Sequence, residues 1–409
     1  MRVVLSTYGS RGDVEPMTGL ALRLQAQGAE VVLCAPPDFA GLAESIGVAS
    51  RPLGWPIQAL ATGAAASAAS GAASGAAPKG LAEITGELTA MAYESVAAAA
   101  RGADLIVATG SLPASAGARA AAEKGGIGYR FATFSPSYVP SPHVAPRPWH
   151  NQVVPEGVTD NRELWRLQAQ HLQSMLGDTI NSHRSSIGLP ATGDIRAHVF
   201  GPDPLLAADR VLGPWQPTTD LDVTQTGAWI RPDERPLPAD LTEFLAAGPP
   251  PVYVGFGSMP LRAADEVGQA VAEAVRSAGR RVLLGSGWAG LALTGDAVDG
   301  FVVGEVNQQA LFPQVAAVVH HGGAGTTTTA ARAGAPQVIV PQVADQPYWA
   351  ARVSALGIGT GHDGPVPTAG SLSAALAIVL DPGVAARAAQ VAGTIRTDGA
   401  DLAAKLLLG

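Results

Sequence analysis

The sequence predicts an α/β protein of two doubly wound, Rossmann-like domains, and three observations carry that expectation. Short apolar runs alternate with helical stretches through both halves of the chain, the pattern of parallel strands joined by crossover helices. The 409 residues allow two domains of about 200 residues, each large enough to bury its own core. Glycine and proline, at 49 and 32 residues, are abundant enough to supply many short loops.

The first element is a buried strand over 2–6, followed by the loop Thr7-Tyr8-Gly9-Ser10-Arg11-Gly12-Asp13 and a helix bearing Leu20, Leu22 and Leu24 that Gly28 closes. A second strand, Val31 to Ala35, stops at Pro36-Pro37, and strands over 104–108 and 129–134 continue the sheet. Residues 59–77 are almost wholly Ala, Gly and Ser, which predicts a mobile surface loop. The stretch from Ser135 to Pro155 is crowded with proline and carries Tyr138, His143, Trp149 and His150. It is expected to be poorly ordered alone and to close over a ligand, the other reading being aromatics folded onto the protein's own surface. Weak periodicity and frequent proline between Trp215 and Pro236 place a boundary near 213–222. The expected division is 1–215, 216–390, and a C-terminal helix in 391–409 that packs back toward the first domain. In the second domain, strands are expected over 252–256, 281–284, 301–303, 317–320 and 337–340.

Composition excludes several classes of protein. Acidic residues outnumber basic ones, 34 to 26, for a net charge of −8, so nucleic acid is not an expected partner. With 47% hydrophobic and 15% charged residues the chain is not disordered. A single cysteine, Cys34, permits no internal disulfide and no multi-thiolate metal site. The apolar run Val3-Val4-Leu5 is too short for a signal peptide or a membrane span, which makes the cytoplasm the expected location.

Two segments carry chemistry. Val319-His320-His321-Gly322-Gly323-Ala324-Gly325-Thr326-Thr327 places glycines and hydroxyls between a strand and a helix, where backbone N–H groups and the helix dipole attract an anion. A tight turn with Thr326 as helix N-cap is the alternative. The segment lacks the P-loop lysine and does not match G-x-G-x-x-G. Further on, Asp345 and Gln346 follow a strand. They could grip vicinal hydroxyls of a sugar, or Asp345 could simply cap the helix before Tyr348.

Together, HHGGAGTT at 320–327, the Asp345-Gln346 pair and GSRGDVEP at 9–16 resemble the UDP-glycosyltransferase superfamily. SHRSSIGLP at 182–190, TQTGAWIRPDERPLP at 224–238, VYVGFGS at 252–258 and ADQPYWAARV at 344–353 resemble the actinobacterial glycosyltransferases that decorate vancomycin-type glycopeptides, so the likeness spans essentially the whole chain. The resemblance implies the GT-B architecture, two domains facing a cleft. It implies a UDP- or TDP-sugar as co-substrate on the C-terminal domain, an acceptor on the N-terminal domain, and inversion without a cofactor or metal.

Carried over by residue, the resemblance assigns Ser258, His321, Gly322, Gly323 and Thr326 to the donor diphosphate and Asp345 and Gln346 to the donor sugar. It assigns Trp288 and the Gly304-to-Gln308 segment, with Val306 and Gln308, to the nucleobase, and Ser10, Tyr138 and His143 to the acceptor. Asp13 matches the acid of the N-terminal loop and becomes the candidate base, with a helix N-cap as its alternative role. The 59–77 stretch departs from the family, leaving the acceptor open among a heptapeptide aglycone, a polyketide and another hydroxylated natural product. A nucleotide-sugar epimerase and a non-catalytic helper homologue are the rival readings.

Overall fold

The computed structural model describes residues 1–58, 80–147, 149, 152–259, 264–288, 290–293 and 299–409. The 59–77 loop expectation and His150 lie outside them. The chain forms two compact units: Met1–Ala208 with Pro214–Arg231 and Thr397–Gly409, and Asp209–Gly213 with Pro232–Arg396.

In the first unit the described strands are β1 (Arg2–Tyr8), β2 (Glu30–Ala35), β3 (Ala49–Pro52), β4 (Leu105–Gly110), β5 (Gly128–Thr133), β6 (Leu205–Leu206) and β7 (Thr224–Gln225). All neighbours pair parallel, in the order β3-β2-β1-β4-β5-β6-β7. Val3, Val4 and Leu5 are fully buried, as expected of a parallel strand covered on both faces. The helices are α1 (Arg11–Ala26), α2 (Ala40–Ser45), α3 (Leu81–Ala99), α4 (Leu112–Gly125), α5 (Asn161–Ser186) and α6 (Ile195–Phe200). Apolar residues of α3, α4 and α5 pack on the sheet in one cluster around Ile106, Phe131 and Leu176.

The second unit contains β8 (Val252–Gly255), β9 (Val282–Gly285), β10 (Gly300–Val303), β11 (Ala317–His320), β12 (Gln337–Ile339) and β13 (Gly359–Gly361), again parallel, in the order β10-β9-β8-β11-β12-β13. Its helices are α7 (Ala239–Ala246), α8 (Ala264–Ser277), α9 (Gln308–Leu311), α10 (Ala324–Arg332), α11 (Gln346–Leu356), α12 (Ala369–Val379) and α13 (Pro382–Ala392).

Both sheets reverse their strand order once, between β1 and β4 in the first unit and between β8 and β11 in the second. At such a point the crossover helices leave to opposite faces, opening a crevice at the strands' carboxyl ends where open α/β sheets bind ligands. Ser10 and Asp13 follow β1 of the first reversal, and Ser258 and His321 follow β8 and β11 of the second.

Compared with the expected boundary near 213–222, Pro214–Arg231 stays with the first unit. Buried Arg231 explains this, since its Nε and Nη2 donate to one oxygen of Glu15 on α1 at 2.8 and 2.6 Å. Conversely, Asp209–Gly213 belongs to the second unit. Arg352 of α11 donates to the carbonyls of Leu212 and Val211, each at 2.9 Å, and buried Asp209 accepts from the Arg396 N–H at 3.1 Å. The C-terminal helix Gly399–Leu408 packs on α1 of the first unit, where Arg23 meets Asp401 at 3.5 Å. Among the described residues no single helix is long and apolar enough to cross a membrane.

Candidate active site

In the second unit the chain leaves β11 through two histidines. His320 is fully buried; its Nδ1 accepts from the Gly322 N–H at 3.1 Å, so in the neutral ring Nε2 carries the proton and donates to Gln337 Oε1 at 2.9 Å. Burial, aided by His321, pushes the His320 pKa down to about 3. This ring is a strut that fixes the turn. Gly322 adopts φ +93°, and a Cβ there would lie 2.6 Å from Ile339 Cγ2, so only glycine fits.

The His321 ring lies between two glycines. A Cβ on Gly257, in the turn after β8, would come within 3.3 Å of His321 Cε1, and one on Gly323 within 2.8 Å of Nε2. Its Nδ1 is shut off from solvent and has no hydrogen-bond partner among the described residues. Burial pushes its pKa down to about 4, so the ring is neutral at pH 7. Beside it α10 begins at Gly323 with no side-chain cap. Thr326 is therefore not the N-cap but stands in the first turn. The following hydroxyls fold back, Thr327 Oγ1 onto the Gly323 carbonyl at 2.9 Å and Thr328 Oγ1 onto that of Ala324 at 2.8 Å. The geometry offers an anion a helix start free of side-chain caps, one imidazole nitrogen in need of a partner, and half-buried Ser258 in the facing turn.

Ala344, a non-glycine residue at φ +58°, bends the chain immediately before Asp345. Asp345 holds the N-cap position of α11, yet its carboxylate caps nothing; Oδ2 accepts instead from the Trp349 indole N–H at 2.7 Å. The simple capping reading is thereby corrected. Gln346 is buried and turned inward, its Oε1 accepting from the N–H groups of Gln342 at 2.6 Å and Val343 at 2.9 Å. The expected Asp345-Gln346 pair thus divides into an indole-oriented carboxylate and an amide that holds its own loop. Gln346 also lies close to the His321 loop, since a Cβ on Gly322 would be 3.2 Å from Gln346 Cβ.

The remaining donor candidates are backbone features. The Trp288 N–H donates to the Gly257 carbonyl at 2.9 Å, tying the turn after β9 to that after β8. Val306 packs onto the core cluster of Leu311 and Phe312, and the Gln308 side chain bonds to Tyr253. Between them, Asn307 accepts from the Ala310 N–H at 3.1 Å and donates to the carbonyls of Asp233 and Arg235, each at 2.8 Å. The segment is held rigidly, with the Val306 and Gln308 side chains turned to the protein.

In the first unit, Ser10 is the N-cap of α1, its hydroxyl accepting from the Gly12 N–H at 3.3 Å. Asp13 is not the cap; it occupies the first turn, with its carboxylate against Gly9 and its carbonyl accepting from Thr7 Oγ1 at 3.3 Å. Tyr138 and His143 are exposed on the loop after β5. Residues 142–147 of that loop are tied to α5. The carbonyls of Pro142, Val144 and Arg147 accept from Asn161 at 2.9 Å, Trp165 at 2.8 Å and Gln168 at 2.8 Å, all on α5.

Sequence reading missed Gln337, Gln342 and Trp349, which orient the loops. The i,i+4 spacing of Asp345 and Trp349 was the one signal that could have revealed the indole contact.

The two doubly wound parallel-sheet units define the GT-B class. Solved structures share this fold: the glycosyltransferase of kitacinnamycin has a TM-score of 0.72 at 21% identity, covering 100% of this chain and 98% of that one. A spinosyn rhamnosyltransferase complexed with thymidine diphosphate has a TM-score of 0.63 at 18% identity, with 100% of both chains covered. Residues 3–141 match the model of the glycosyltransferase family 28 N-terminal domain, and 294–400 that of the erythromycin biosynthesis protein CIII-like C-terminal domain. Glycosyltransferase GtfE of Amycolatopsis orientalis is 53% identical, over 100% of this chain and 97% of the relative. Vancomycin aglycone glucosyltransferase of the same organism is 50% identical over the same shares. The chain belongs to the glycosyltransferase family of these two Amycolatopsis enzymes.

Proposed function

We propose that the chain transfers a sugar, with inversion and without a metal, from a UDP- or TDP-sugar to a hydroxyl of a glycopeptide-type aglycone. Asp13 takes the proton of the acceptor hydroxyl as that oxygen attacks the anomeric carbon from the face opposite the nucleotide. The bond from the anomeric carbon to the diphosphate oxygen breaks, and the diphosphate leaves carrying the electron pair. His321, Ser258 and the first-turn N–H groups of α10, from Ala324 to Thr326, receive its charge. Asp345 takes a sugar hydroxyl through its remaining acceptor capacity, and the Trp288 and 304–308 segments hold the pyrimidine. Ser10, Tyr138 and His143 stand on the acceptor side. The reaction needs no nucleic acid and no membrane, in keeping with a cytoplasmic biosynthetic step.

The observation that carries this reading is the sequestered, unpartnered Nδ1 of His321 beside a helix start without a side-chain cap. A buried nitrogen without a partner is costly unless a ligand completes it. The relatives' names supply the substrate class: one is a vancomycin aglycone glucosyltransferase and another a dTDP-epi-vancosaminyltransferase. Incubation with UDP- and TDP-sugars and vancomycin aglycone, read by mass spectrometry, tests the proposal. A product heavier by one sugar is expected. Epimerised donor without transfer, or no product with any donor, would overturn it.

A further inference from the structure

We infer that Ser111 is an acceptor-binding residue, its hydroxyl holding the acceptor oxygen that gives its proton to Asp13; the inference rests on the transfer reading above. Ser111 stands at the strand-order reversal of the first unit. β1 and β4 pair there with Tyr8 opposite Gly110, and the Ser111 N–H donates to the Tyr8 carbonyl at 3.0 Å. The next residue along β1 is Gly9, against which the Asp13 carboxylate lies. Ser111 and Asp13 thus flank the same Tyr8-Gly9 backbone, one from the start of α4 and one from the start of α1.

The hydroxyl of Ser111 has no partner among the described residues. Ser111 holds the N-cap position of α4 with extended backbone, φ −63° and ψ 141°, yet makes no cap hydrogen bond. Pro113, at the second helical position, has no N–H to give. Its Oγ is closed off from solvent without a partner among the described residues. Other hydroxyls on β1 and at the starts of α1 and α4 are occupied: Ser10 Oγ takes the Gly12 N–H, Thr7 Oγ1 donates to the Asp13 carbonyl, and Ser115 Oγ donates to that of Thr109. The Ser111 residue itself is only half-buried, and in the inferred acceptor complex its hydroxyl turns outward to another staggered χ1 well. A serine hydroxyl both donates and accepts, which suits an alcohol or phenol whose proton is leaving toward a neighbouring carboxylate. The acceptor thereby completes a group that the fold leaves incomplete.

The test uses the full chain, UDP-glucose as donor and vancomycin aglycone as the acceptor probe. Ser111→Ala is expected to raise the acceptor KM, and its Kd by calorimetry without donor, about tenfold, the scale of one lost hydrogen bond. The donor KM and the Tm are expected to stay at wild-type values, because the hydroxyl has no partner among the described residues, and Ser111→Thr is expected to recover acceptor binding. Unchanged acceptor affinity in Ser111→Ala overturns the inference, as does a lowered Tm without an affinity change, which would make the residue an ordinary cap. Asp13→Asn, run in parallel, separates the two readings. Wild-type turnover there removes the base while the acceptor Kd still judges Ser111, and no saturable binding of the probe to wild type removes the acceptor role altogether.

Discussion

The carboxylate of Asp13 fills the space that a side chain on Gly9 would need: a Cβ built on Gly9 overlaps Asp13 Oδ2. Two residues four apart, one on the loop and one in the first turn of α1, are therefore a single device. The glycine does not serve a turn conformation here but leaves room for an acid at the carboxyl end of β1.

Removing the acid and displacing it should have the same kinetic signature. Asp13→Asn is expected to lower turnover about 10²-fold or more, the usual contribution of a general base, with nearly unchanged donor affinity. Gly9→Ala should lower turnover in the same direction by pushing the carboxylate aside. Steady-state kinetics with calorimetry of UDP and TDP checks both, and equal turnover of Asp13→Asn and wild type would exclude the base role.

His321→Ala should act on the other substrate. In the unliganded chain burial pushes its pKa down to about 4, so at pH 7 the ring presents a hydrogen-bonding nitrogen rather than a charge. The expected loss in nucleoside diphosphate affinity is therefore about 3- to 10-fold, the scale of one neutral hydrogen bond, with acceptor affinity unchanged. Calorimetry with UDP and TDP measures it; full retention of affinity would remove His321 from the donor site.

Much of this was legible in the sequence because the parallel core is written in continuous apolar runs. β11 falls on 317–320 as expected, and β1 extends only two residues past the expected end. What was not legible has physical causes. β3 is exposed along its whole length, β6 and β7 have two residues each, and β13 has three, so none leaves a periodic signal. A proline-rich stretch looks like a linker, whereas the Arg231–Glu15 pair that fastens 214–231 to the first unit joins residues 216 positions apart. For the candidate residues, the sequence does not give side-chain directions. Asp345 and Gln346 are adjacent in sequence, yet one bonds to an indole and the other to its own loop.

Activity should be independent of divalent metal. In the proposed mechanism, the leaving diphosphate is stabilised by the first-turn N–H groups of α10 and by a hydrogen bond from His321. Added EDTA is expected to leave the transfer rate unchanged, and restoration of an EDTA-lost activity by Mg²⁺ or Mn²⁺ would contradict that assignment.

His320 should make the second unit acid-sensitive. Its folded pKa is pushed to about 3, chiefly by burial, whereas an unfolded histidine titrates near 6.5. Between those values the unfolded chain binds a proton that the folded chain refuses, so stability falls as pH falls, by about 1.4 kcal/mol per pH unit for this group. The contribution is complete above pH of about 6.5 and is lost progressively down to about 3, with His321 adding its own loss down to about 4. Protonation would also sever the hydrogen bond that Nδ1 accepts from Gly322, the contact that shapes the turn before α10. His320→Gln removes the titrating group, so its absolute stability at pH 7 is less informative than its slope. Denaturant melts of wild type and variant at pH 7, 6 and 5 should show a shallower decline in the variant, and parallel declines would mean that acid sensitivity arises elsewhere in the chain.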